Sequence, residues 1–303
     1  MQVSTRYPEQ LYTIGRALSS IDRIRILKTL EEDSYNVIEL ASILNIPTST
    51  AGIHVRILAD AGLIRTQVQP GTHGSSKLCS HTIDRITILL QDLPIREENL
   101  ESVSMPVGAF TDCCVVPTCG LGGETDFIGA SDDPISFYLP ERVNAQIVWS
   151  AGGYVEYRFP NLFPKDKTPK RLTLSAEICS EAPNYRDDWV SDITLWLNGV
   201  ECGTWRCPGD FGKRRGLLTP NYVLYGSTQY GLLTTWTVDK HCSYVNENPV
   251  SETKLEQLAL SECPYITVRI GNKKDAKYQG GFNIFGAKAG DYPQDILLTF
   301  EYE

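Results

Sequence analysis

Residues 46–64, IPTSTAGIHVRILADAGLI, place small hydroxyls, a histidine and an arginine within one stretch of helical period. With Ile53, Ile57, Leu58 and Ala61 turned inward, Thr48, Ser49, Thr50, His54 and Arg56 fall at the helix start or on its outer side. Small hydroxyls at a helix start approach a phosphate or a base edge with little loss of side-chain entropy. Arg56 suits a phosphate or a guanine edge. The polar run that follows adds His73 and Lys77, placed where backbone phosphate is the ordinary partner. The chemistry expected of this segment is contact with double-stranded DNA.

A second set of reactive side chains lies further on, clustered at the ends of β-rich runs. Asn184, Tyr185, Asp187, Asp188, Trp189 and Asp192 form one group, Trp205, Asp210, Phe211, Arg214 and Arg215 another. Arg142, Asn144, Gln146, Trp149 and Arg158 stand in a third, and Gln279, Asn283, Asp291, Tyr292 and Gln294 in a fourth. Aromatic faces stack on the C–H surfaces of sugars while Asp, Asn and Arg bond their hydroxyls, and loops on a β-sandwich offer such surfaces. Trp189, Asp192, Trp205, Asp210, Arg214 and Arg215 are the expected contacts to a small polar ligand, carbohydrate among the candidates. Taken singly, each Trp fits core better than a ligand platform, and Asp210 in PGDFG fits turn chemistry better than binding. Glu156, Glu177 and Glu181 are the carboxylates a glycoside-acting enzyme would use, but nothing fixes their separation. There is no nucleophile elbow, phosphate loop or HExxH, so no catalytic residue and no cofactor are assigned.

The elements that must position these residues differ in the two parts of the chain. Leu11, Ile14 and Leu18, then Ile21, Ile24, Leu27 and Leu30, recur at helical spacing, with Pro8 suited to a first turn. Asn36 caps a third helix with Val37, Leu40, Ala41 and Leu44 inward, and Thr48 begins a fourth that stops at Gly62. Strands over 63–69 and 77–82, joined by the loop 70–76, complete a winged helix-turn-helix. The polar stretch 93–104 reads as a linker. Beyond it, short β-rich runs at 146–149, 154–159, 172–178, 193–197, 231–238, 265–270 and 296–302 are punctuated by Gly, Pro, Asn and Asp, and one helix is expected near 251–260. The reading is an α+β multidomain chain. Residues 1–92 are the winged helix-turn-helix, and residues 105–303 an antiparallel, jelly-roll-like β-sandwich.

Residues 17–64 resemble the ArsR-type winged-helix regulators. Ala17-Leu18 and Arg23–Leu30 match that family's second helix, Glu39–Ile46 the first helix of its motif, and Thr50, His54, Leu58 and Ala61–Ile64 its recognition segment. Gly52 and Ile53 stand where the family usually carries a hydroxyl residue and an arginine. The resemblance implies a dimeric DNA-binding regulator, most often a repressor. Its metal-sensing members use Cys-x-Cys in the helix that here spans Val37 to Leu44, which has neither Cys nor His, so no metal site is assigned. The second part resembles jelly-roll carbohydrate-binding modules only loosely. Its role is therefore sensing or, alternatively, oligomerisation or protein contact.

Charge divides along the same line. Residues 1–92 hold nine Lys/Arg and nine Asp/Glu, so the whole net charge of −9 belongs to residues 93–303. Phosphates would be repelled by the second part, and DNA contact is expected of the first. The amino terminus shows no secretory pattern and no apolar run is long enough to span a membrane, so the nine cysteines are expected to be reduced in a cytoplasmic homodimer.

Overall fold

The computed structural model describes residues 2–5, 7–71, 74–83, 86–89, 99–260 and 263–303. The chain divides into two compact units, residues 1–95 and 96–303.

Among the described residues of the first unit, four α-helices precede a hairpin. Helix α1 is Pro8–Leu18, α2 Ile21–Glu32, α3 Val37–Leu44 and α4 Thr48–Asp60. The strands Ile64–Gly71 and Gly74–His81 pair antiparallel, and Tyr35–Asn36 adds a third strand beside the second. The expected loop 70–76 is thus mostly strand, because the pairing runs on to Gly71 and resumes at Gly74. Asn36 begins α3 with a capping box: its side chain accepts from the N–H groups of Ile38 and Glu39, and Glu39 accepts from Asn36 N. Asn45 closes α3 in the left-handed region at φ 54°, and Gly62 stops α4 at φ 70°.

The inward face of α2 departs from the apolar period. Ile21 and Ile24 are exposed, while Arg23, Ile26 and Leu30 are buried. The reason is polar. The last carbonyls of α1 have no helical partner, and the Arg23 guanidinium supplies donors at 2.7 Å to both Arg16 O and Ala17 O.

The second unit is an antiparallel β-sandwich. Among the described residues its larger sheet has ten strands. Along its main path it runs Asn248–Ser251, Ser243–Val245, Leu232–Asp239, Pro169–Cys179, Phe282–Phe285, Ile147–Ser150, Cys119–Gly122 and Phe127–Ile128. Ile296–Tyr302 pairs with the first part of Pro169–Cys179 and carries Leu100–Met105 on its other side. The smaller sheet orders Val200–Cys207, Ser191–Leu197, Tyr265–Gly271, Gly153–Pro160 and Asp112–Val115. The Asn198-Gly199 turn, with φ 49° and 80°, makes a two-residue hairpin whose backbone suits the strand twist.

Side-chain alternation separates the two faces of the larger sheet. Ile178, Ile284, Val148 and Leu121 lie in register on neighbouring strands and join the core shared with Val155, Tyr157, Val268 and Leu195 of the smaller sheet. The next row, Cys179, Asn283, Trp149 and Gly120, points to the opposite face.

Two sequence expectations are corrected here. Leu100–Met105, read as the end of the linker, is an edge strand. The helix near 251–260 is only a short 3₁₀ turn, Leu255–Leu258, preceded by the strand Asn248–Ser251. The turn stops where Ala259 takes the left-handed region at φ 49°.

Removing the α3 cap tests how far the helix-turn-helix relies on it. Asn36→Ala is expected to destabilise the helical unit by about 1 kcal/mol. Urea denaturation of the full chain, followed by helical circular dichroism, measures this, and an unshifted transition would show the cap to be dispensable.

Candidate nucleic-acid interface and ligand cavity

Helix α4 buries Ala51, Val55 and Leu58 against the first unit's core. Thr48, Ser49, Ile53 and Arg56 consequently face solvent, with Thr50 half-buried. Two placements reverse the sequence reading. Ile53, expected inside, is 58% exposed. His54, expected outside, turns toward α2, where Nδ1 lies 3.4 Å from Arg23 Nη1 and Nε2 lies 4.0 Å from Asp22 Oδ2. The physical cause is again Arg23: fixed by α1's carbonyls, it presents a polar neighbour that an imidazole satisfies and an isoleucine does not. Lys77 is exposed on the second hairpin strand, opposite Val68. His73 lies outside the described residues. At Gly52 an added Cβ would find only Val37 Cγ1, 4.0 Å away, so packing does not require glycine there.

In the second unit, the six expected ligand contacts are engaged elsewhere. Asp192 holds Arg206 at 2.9 Å and accepts from Tyr278 N. Trp205 packs edge-on to the buried Trp236, ring centroids 6.3 Å apart. The half-buried Trp189 lies under the Arg186 guanidinium, 5.0 Å from its ring. Arg214 forms an ion pair with Asp291 and stacks 3.7 Å over Tyr230. Arg215 donates to the carbonyls of Thr219, Pro220 and Val223. Asp210, fully buried, accepts from Ala182 N at 2.9 Å and Thr228 Oγ1 at 3.0 Å. Burial pushes its carboxyl up to about 7, against the pull of those donors.

A cavity of 210 Å³ opens nearby, on the outer face of the larger sheet, and none of those six residues lines it. Its floor is the outward row of the sheet. Trp149 sits between Asn283 and Gly120 in register, and its ring covers Gly120 so closely that a Cβ there would come within 2.3 Å of Cζ2. Phe127, 46% exposed, meets Trp149 edge-on at 6.0 Å. Over the floor stands Glu181, whose carboxyl accepts from Thr118 Oγ1 at 2.8 Å and Asn283 Nδ2 at 2.7 Å. Asn283 gives its other N–H to Ser180 O, which leaves the side-chain carbonyl as its acceptor. Burial pushes the Glu181 carboxyl up to about 8, and the bonds from Asn283 and Thr118 only partly offset it.

Two residues expected as ligand contacts thus support the cavity wall from behind. Asp210 ties Ala182 to Thr228, both in the lining, and Arg215 binds the carbonyl of Val223, also in the lining. The carboxylates considered for catalysis are dispersed. Glu156 pairs with Arg269 across the smaller sheet, and Glu177 accepts backbone N–H groups from Gly231, Asp291 and Tyr292. Glu181 alone of the three lines the cavity. Among the described residues no cluster of His, Cys, Asp or Glu is arranged to hold a metal ion, and no helix is long and apolar enough to cross a membrane.

Residues 21–66 match the family model for bacterial regulatory proteins of the arsR family. No curated protein matches the chain. Among solved structures, an ArsR family transcriptional regulator is 29% identical over 25% of this chain and 78% of that one, at TM-score 0.22. The homodimeric winged helix-turn-helix DNA-binding domain of a possible ArsR-family regulator from Mycobacterium bovis is 22% identical over 25% of this chain and 67% of that one, at TM-score 0.23. A carbohydrate-binding module of family 36, in complex with calcium and xylotriose, is 7% identical over 66% of this chain and 99% of that one, at TM-score 0.28.

The raised proton affinity of Glu181 sets the sign of a stability effect. A carboxyl that holds its proton more tightly folded than unfolded stabilises fully below its ordinary value of 4.5, and loses that contribution as pH rises to about 8. Glutamine does not titrate. Glu181→Gln should therefore gain on the parent between about pH 5 and about pH 9, by about 1.4 kcal/mol for each tenfold difference in proton affinity. Urea denaturation of the β-sandwich at both pH values measures it. A difference that does not change with pH would mean that Glu181 is ionised in the folded chain throughout.

Proposed function

We propose that this chain is a DNA-binding transcription regulator of ArsR type that acts as a homodimer, its β-sandwich sensing a small polar ligand. The observation that carries the DNA half is the outward row of α4, where Thr48, Ser49, Ile53 and Arg56 stand free of the core beside a hairpin bearing Lys77. In such a fold the second helix of the motif enters the major groove, and the wing meets the backbone. The match of residues 21–66 to the arsR family supports this reading. Thr48, Ser49 and Thr50 serve the phosphates or base edges at the helix start. Arg56 reads a guanine or holds a phosphate, and Ile53 contacts a thymine methyl. His54 orients α4 through Arg23 and Asp22 instead of touching DNA.

The sensing half rests on the cavity beneath Glu181, a concave, partly aromatic space with a few convergent polar groups. A ligand there alters DNA affinity only by its differential affinity for the DNA-bound and free states, ordinarily worth about 1–3 kcal/mol.

The DNA half is tested by titrating the full chain with a duplex selected from a random-sequence pool. Arg56→Ala and Lys77→Ala are each expected to weaken binding and to lower the slope of log affinity against log salt by about one unit. Unchanged affinity and slope in both variants would remove the proposed face. Gly52→Ala supplies an independent check, since the space is open to a methyl and alanine favours helix by about 1 kcal/mol. The variant should be more stable. If its DNA affinity also falls, glycine is needed for close approach to the duplex; if affinity holds, the residue leaves DNA contact to its neighbours.

A further inference from the structure

The outer-face cavity is built from parts that favour one kind of occupant. Its floor is an aromatic ring, since Trp149 is held flat over Gly120 and flanked by Phe127. One wall is a fixed polar pair, Glu181 and Asn283, each oriented by further partners in Thr118 and Ser180. A further part of the lining is the loop bearing Val223, Ser227 and Thr228, held by hydrogen bonds to Arg215 and Asp210. Rigid positioning of this kind lets a polar group bond a ligand without first losing its own freedom.

The charge of the lining excludes as much as its shape. Glu181 is the one titratable side chain among the described lining residues, and no Lys, Arg or His stands with it. An anionic ligand would meet no compensating charge in a half-buried space, where desolvation is costly. Burial pushes the Glu181 carboxyl up to about 8, so near neutral pH it is largely a protonated acid, able to donate as well as accept. That arrangement gives a cation little to pair with and gives hydroxyl groups both kinds of partner. The volume, 210 Å³, lies below the roughly 300–1,000 Å³ of pockets for drug-sized ligands, which limits the occupant to about one ring.

We propose that this cavity binds a single neutral sugar ring, its C–H face stacked on Trp149 and adjacent hydroxyls bonded by Glu181, Asn283 and Thr118. The site deepens the sensing reading above and rests on it only for the link to DNA affinity. Phe127 and the half-buried Ser227 complete the contacts from the lining.

The experiment is calorimetric titration of the full-length chain with D-xylose, D-glucose, D-galactose, D-mannose and N-acetyl-D-glucosamine, set against D-glucuronate and D-glucose 6-phosphate. At least one neutral sugar is expected to bind with a dissociation constant below about 1 mM, and the anionic forms at least about tenfold more weakly. Trp149→Ala should weaken the bound sugar by about tenfold or more. Because that variant leaves a hollow over Gly120 that can disturb the fold, Ser227→Trp gives a second reading: it fills the cavity from its lining and should block the same sugar. No saturable binding by any neutral sugar would overturn the proposal. So would equal binding of the anionic forms, full retention in both Trp149→Ala and Ser227→Trp, or a loss caused by Trp189→Ala while Trp149→Ala still binds. The same samples, titrated with the pool-selected duplex, separate the two claims. Sugar binding that leaves DNA affinity unchanged refutes sensing and keeps the site. A change in DNA affinity that survives Trp149→Ala and Ser227→Trp refutes the site and keeps sensing.

Discussion

The strand Pro169–Cys179 has to satisfy three neighbours at once, and the β-sandwich is arranged around that requirement. Along one side it pairs with Leu232–Asp239 for nearly its whole length. Along the other its earlier residues pair with Ile296–Tyr302, while Glu177 to Cys179 pair with Phe282–Phe285. The sheet forks where one partner gives way to the next. Loop backbone returning to that fork brings N–H groups that must find acceptors once buried. Glu177 provides them, taking Gly231, Asp291 and Tyr292 N–H at 2.8 Å, the Asp291 group through both carboxyl oxygens. Its carboxyl is pushed up to about 8 by burial and by Asp291, and those three N–H groups pull against the shift. A carboxylate that looks catalytic by type is here the acceptor on which two loops converge.

The cavity follows from the same fork. The chain leaves the strand at Cys179, turns through Ser180 and lays Glu181 over the outward row of the sheet, where Asn283 receives it. Asp210 and Arg215 then fix further lining residues. Acid and arginine side chains with apolar neighbours are what a ligand site needs, and they are also what a sheet needs to brace long loops. Side-chain type does not separate the two uses. Partner geometry does: Asp210, Arg214 and Arg215 spend their hydrogen bonds on the protein and stay out of the lining, whereas Trp149 and Asn283 line the cavity.

This distinction marks how far the sequence could be read. Local signals carried the first unit well, since the Asn36 cap, the Gly62 stop and the helical periods act within a few residues of themselves. They failed at Ile53 and His54 because the orientation of α4 answers to Arg23, thirty-one residues before His54. The strands of the second unit were legible by composition, but Trp149, Glu181 and Asn283 meet only through register, which no spacing along the chain reveals. Leu100–Met105 passed for linker for a related reason. It pairs on one side only, with Ile296–Tyr302, and an edge strand can keep polar residues such as Glu101 and Ser102 facing water.

Electrostatics then constrains how such a molecule would regulate. The helix-turn-helix segment is neutral overall, and among the described residues of α4 and the hairpin the exposed cations are Arg56, Arg65 and Lys77. Non-specific DNA affinity grows with the number of phosphates neutralised, so a face of this kind holds DNA weakly apart from its base contacts and its partner protomer. Weak holding makes modest coupling effective. A coupling of about 1–3 kcal/mol changes affinity by roughly 5–150-fold. For a binder poised near half-occupancy of its site, that range spans most of the distance between bound and free. A regulator with many phosphate contacts would need a larger swing to let go. On the sensing reading proposed above, sparse charge on α4 and the wing would suit control by a small uncharged ligand, whose binding would add no electrostatic repulsion of its own and would act through differential fit alone.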